Sequence, residues 1–231
     1  MSRDGAFSIV LSSLAWISVM ASVLVIAGYE LRMAAVGRKS PHATARSAHA
    51  LFRSEWVEAL SDQAGSEILA VQTLRNSLMS ATIAASTAAL ALMGTLSLMA
   101  STAVREIGLQ VPQQLGVRLV LELMLLATLF ASYVCSAMAM RYFNHAGFAM
   151  SLPVGSARRK QREPMAADYV RRAGLLYSWG LRFFLFVSPL VAGMISPYAM
   201  PFAAAALVFV LRKFDRGPAS MARESESLDL E

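Results

Sequence analysis

Four stretches without a single charged residue, 5–29, 76–104, 123–140 and 183–211, dictate what this chain of 231 residues can fold into. A helix needs about 20 mainly apolar residues to cross a hydrocarbon core of about 30 Å. Each run is long enough, the third when it is extended back to residue 118. The sequence therefore reads as all-α, an integral membrane four-helix bundle with spans at about 5–29, 76–104, 118–140 and 183–211. The connections 30–75 and 141–182 share one side. A composition of 56% hydrophobic and 16% charged residues supports this, because soluble domains carry nearer a quarter charged. One membrane domain over residues 1–216 is expected, followed by a disordered acidic tail, 217–231, holding Glu224, Glu226, Asp229 and Glu231. The first run exceeds the apolar region of a cleaved signal peptide and reads as a retained span.

The net charge of +6 does not point to nucleic acid, because the cations border the spans. Of the 21 Lys and Arg, six fall in the connection 30–75 and eight in the connection 141–182. Positive charge collects on the cytoplasmic side, so these connections are predicted to be cytoplasmic and both termini extracytoplasmic. The last run carries Pro189, Pro197 and Pro201. It reads as one tilted, kinked span; the alternative is a re-entrant hairpin turning at residues 196–201, which would return Arg212 and Lys213 to the cytoplasm.

Each connection predicts a further helix. In the first, Thr44 is a fitting N-cap, and Ala48, Phe52, Trp56 and Ala59/Leu60 recur at helical spacing, as in an amphipathic helix lying in the headgroup region. In the second, Pro153, Gly155 and the cluster Arg158, Arg159, Lys160 and Arg162 read as a basic loop before a helix over 166–179. Such clusters attract anionic lipid.

Arg75 opens the second span, Arg141 closes the third and Arg182 opens the fourth, so all three are expected at one membrane face beside Gln72, Asn76 and Asn144. Planar guanidinium forks suit bidentate recognition of phosphate or carboxylate, which makes this set a candidate anion or lipid site. Ser77, Ala81, Ala85 and Ala89 form a stripe of small residues that lets another helix approach closely. Glu122 is the one acid within an apolar segment, and Arg118 one turn earlier is its expected partner. Cys135 reads as a buried small hydrophobe. The three histidines are scattered, with no nucleophile set, paired carboxylates or metal-ligand spacing, so neither catalysis nor a cofactor or metal is expected.

Three segments carry a family resemblance. Residues 67–82, EILAVQTLRNSLMSAT, together with RYFNH at 141–145 followed by SLP at 151–153, and GLRFF at 180–184 leading to SPL at 188–190, resemble the motifs of an uncharacterised membrane family known as domain of unknown function 599. The resemblance covers about residues 5–215 and implies a four-span bundle found in bacteria and plants, with no established activity. The expected function is thus a non-catalytic bundle of a bacterial inner membrane that binds anionic lipid headgroups or a membrane partner at its cytoplasmic arginines. The alternative is an ion or small-solute pathway built by homo-oligomerisation.

Overall fold

The computed structural model describes residues 3–39, 44–108 and 116–215, with side chains over 13–39, 44–101 and 116–215. The expected acidic tail lies outside these residues. Six helices follow in order: α1 (Arg3–Lys39), α2 (Ala45–Ser61), α3 (Glu67–Gly108), α4 (Val117–Met150), α5 (Ala157–Ile195) and α6 (Met200–Asp215). Four of them, α1, α3, α4 and α5, are long and apolar enough to cross a membrane, as the sequence predicts.

The helices outrun the uncharged stretches. At 1.5 Å per residue, the 42 residues of α3 extend about 63 Å, roughly twice the thickness of a hydrocarbon core. A charged residue ends an apolar run without ending a helix, because its backbone bonds continue regardless. The bundle accordingly packs in layers. Toward the end where α4 begins, Val19, Leu121, Leu125, Leu129, Leu190 and Met200 pack together. Toward the end where α4 stops, the core is Val57, Leu60, Leu74, Phe143, Met150 and Val170, while Tyr29, Leu207, Val208 and Leu211 pack between α1 and α6.

Helix α4 lies between α3 and α5, α2 packs on α5, and α6 is held between α5 and α1. Small residues allow the closest approaches. Ser132 Oγ donates to Gly180 O at 2.8 Å across the α4–α5 seam, where a Cβ on Gly180 would stand 2.5 Å from Ser136 Oγ. On α3, Ala81 and Ala85 are buried and Ser77 and Ala89 half-buried, with α4 as the principal neighbour of that helix.

Local chemistry sets the ends. Thr44 is extended and its side chain accepts from Ser47 N, opening α2. That helix buries Val57 and Leu60, whereas Phe52, on the stripe read as lying in the headgroup region, is 65% exposed. Gly155 takes φ +82°, and Ser156 then accepts from Arg159 N, so α5 begins at Ala157. The cluster Arg158 to Arg162 is therefore the first turns of a helix rather than the expected basic loop.

The last apolar run also departs from expectation. It is a helical hairpin and not a single kinked span. Ser196 is extended (φ −153°, ψ 121°), the conformation that a following proline imposes, and α5 stops there. Pro201 sits in the first turn of α6, where a missing backbone N–H costs nothing. Helix α6 then runs back along α5, bringing Asp215 to Arg182 and Tyr29. Residue 215 thus lies at the level of Arg182, whereas a single span over 183–211 would have placed it on the opposite side.

Candidate functional site

Arg182, 6% exposed, is enclosed at the junction of α1, α5 and α6. Its Nη1 donates to Glu30 Oε1 and its Nη2 to Asp215 Oδ1. Tyr29 OH donates to the other oxygen of Asp215 at 2.6 Å. Arg46 on α2 donates to Glu30 Oε2 at 3.3 Å, and its guanidinium carbon stands 4.4 Å from the centroid of the Trp179 ring. Two guanidiniums and two carboxylates leave this network neutral. It joins α1, α2, α5 and α6, and its arginines are already committed to internal partners.

The other members of the expected arginine set lie elsewhere. Arg75, Arg141, Gln72, Asn76 and Asn144 are exposed, and among the described residues no hydrogen bond or ion pair joins them to Arg182. The reason is axial. Gly180 faces Ser132, so Arg182 lies near that level of α4, about 13 Å along the helix from Arg141. The ends of uncharged runs do not mark one depth when the helices continue past them.

Two buried or half-buried arginines escaped the sequence reading. Arg159, 1% exposed, donates through Nη1 to Met150 O and, at 3.0 Å, to Leu152 O. It thereby caps the last carbonyls of α4. Nearby, Glu67 Oε1 accepts from Val154 N at 2.8 Å.

Arg53, on α2, lies flat against Gly174 of α5, whose missing side chain leaves room for the guanidinium. It is half-buried and has no hydrogen bond or ion pair among the described residues. Burial lowers its pKa from the ordinary value, the direction expected when a cation is desolvated without a counterion. It lines a cavity of about 270 Å³ between α2, α3, α4 and α5, with His49, Trp56 and Thr73 at the mouth and the buried Leu74 and Phe143 as floor. A second cavity, of about 160 Å³, lies beside Arg46 and Arg182 and is lined also by Arg38, Thr44 and Asp215.

Glu122 accepts from Arg118 Nε at 3.0 Å, a pairing within one turn of α4. Among the described residues no three His, Cys, Asp or Glu side chains are grouped so as to hold a metal ion.

Residues 17–219 match the family model for a protein of unknown function, DUF599. No curated protein and no solved structure matches the chain.

Proposed function

The chain belongs to the DUF599 family, whose function is unknown, and from that premise we propose that it is a non-catalytic, multi-pass protein of a bacterial inner membrane that binds anionic lipid at its inner end. One observation carries this reading. The hairpin adds Arg212 and Lys213 to the fourteen cations of the two long connections, so sixteen of the 21 Lys and Arg gather at one end. Among the described residues that end holds eight carboxylates; the sequence after Asp215 adds Arg216 and Arg223 against four acids, which still leaves cations in excess. Among the described residues, Arg46, Arg171, Arg172 and Arg182 are the inner-end cations with an ion-pair partner, which leaves a large positive surplus. Positive charge faces the cytoplasm, and the anionic leaflet there attracts each neighbouring cation by about 1 kcal/mol.

The test is lipid selection. The protein is incorporated into nanodiscs of phosphatidylcholine containing a minority of phosphatidylglycerol, extracted mildly, and its retained lipid identified by native mass spectrometry. Enrichment of phosphatidylglycerol over the bulk ratio is expected. Retention at the bulk ratio would overturn the reading, and solute flux through liposomes of the same lipid would favour the oligomeric pathway instead.

A further inference from the structure

We propose that the cavity between α2, α3, α4 and α5 is a specific binding site for a phosphate-bearing amphiphile, with Arg53 as the residue that grips the phosphate. The inference rests on the anionic-lipid reading above and adds to it a place, a headgroup and a gripping residue. Arg182 and Arg46 hold carboxylates, and Arg159 donates Nη1 to the carbonyls of Met150 and Leu152 while its Nε and Nη2 stay buried without a hydrogen-bond partner among the described residues. Arg53 has neither a carboxylate nor a carbonyl partner among the described residues, and of these four it is the one that lines this cavity. A desolvated cation without a counterion is costly, and proteins keep such groups where an external anion completes them.

The surroundings define that anion. The guanidinium fork matches two oxygens of a phosphate, and the His49 imidazole and Thr73 hydroxyl at the same mouth can serve the remaining oxygen. Behind them the floor of Leu74 and Phe143 is apolar, and a free inorganic ion would leave it uncovered. A cavity of about 270 Å³ admits a headgroup and the first carbons attached to it, but not two acyl chains. The chains must then leave past Phe52, whose ring is exposed beside the opening. Thr73 and Ser77 border the start of the long uncharged run of α3, a fitting depth for a headgroup.

Gly174 is the second part of the device. Glycine within a helix is normally unfavourable, yet the three atoms nearest to a Cβ here all belong to the Arg53 guanidinium, with which it would collide. Gly174→Ala should therefore favour the helix while pushing the fork out of its seat.

Wild type, Arg53→Gln, Arg53→Lys and Gly174→Ala are compared in two measurements. One is retained phosphatidylglycerol by native mass spectrometry. The other is melting in detergent with short-chain phosphatidylglycerol, short-chain phosphatidylcholine or inorganic phosphate added. The expected result is affinity for short-chain phosphatidylglycerol about ten- to a hundredfold lower in all three variants, the size of losing a charge-assisted bidentate contact. Melting without added lipid should be unchanged or higher in Arg53→Gln and Gly174→Ala, since the first removes the desolvated cation and the second favours the helix while displacing that cation from its seat. A wild-type response to inorganic phosphate equal to that with the lipid would assign the site to a free anion and overturn the amphiphile. Wild-type enrichment of phosphatidylglycerol that persists undiminished in all three variants would overturn the site while leaving the broader reading intact. Loss of stability in Arg53→Gln with unchanged lipid retention would make Arg53 a packing residue.

Discussion

Arg182 supports two carboxylates on one guanidinium, and the arrangement fixes what its removal does. In Arg182→Gln, Glu30 and Asp215 would face each other with only Arg46 and Tyr29 as partners. Breaking a buried pair by deleting one partner costs about 3–5 kcal/mol, mostly because the other charge stays buried and uncompensated. Thermal and denaturant unfolding in detergent should show a loss of that order, and a loss below about 1 kcal/mol would mean the network is solvated and weak. The special standing of Arg182 is legible in the sequence, since it opens an apolar run. Its partners are not, because Glu30 lies 152 residues before it and Asp215 was expected across the membrane. Arg53 and Gly174 share the same obstacle: an arginine seated on a glycine of another helix leaves no local pattern. Arg159 looked like one more member of a basic cluster, and only the end of α4 at Met150, with its unsatisfied carbonyls, accounts for its burial.

At the scale of elements, the small face of α3 was readable because four-residue spacing survives any detail of packing. Ala85 is buried on the helix whose main neighbour is α4, so Ala85→Leu forces three extra carbons into a filled seam. A destabilisation of about 1–3 kcal/mol is expected from melting curves in detergent. An unchanged melting temperature would place that face against lipid. Helix ends were read less well. Arg141 and the residues after it continue α4 to Met150, and the basic residues from Arg158 belong to the opening turns of α5, because helices tolerate charge freely outside a hydrocarbon slab. The pair Pro197 and Pro201 held the information needed for the hairpin. One proline forces the residue before it out of helical geometry and the other suits a helix start, which favours the hairpin at residues 196–201 over the tilted, kinked span.

For the whole molecule, the number of long helices and the side bearing most charge follow from composition along the chain, while the order in which helices touch does not. Nothing local says that α6 should lie between α5 and α1. The hairpin makes a firm prediction about sidedness. Separate fusions of a fluorescent protein and of alkaline phosphatase after Asp215 should give fluorescence and no phosphatase activity in a bacterial host; the reverse pattern would contradict the return of α6 to the inner end. The same hairpin orders events during synthesis. Glu30 leaves the ribosome 152 residues ahead of Arg182, which itself precedes Asp215 by 33. At about 5–20 residues per second, Arg46 follows Glu30 within about 1–3 s, whereas Arg182 follows it only after roughly 8–30 s and then precedes its second acid by a few seconds more. The first helix therefore enters the bilayer with its glutamate answered by Arg46 alone, and the four-helix network becomes neutral only when Asp215 joins Arg182.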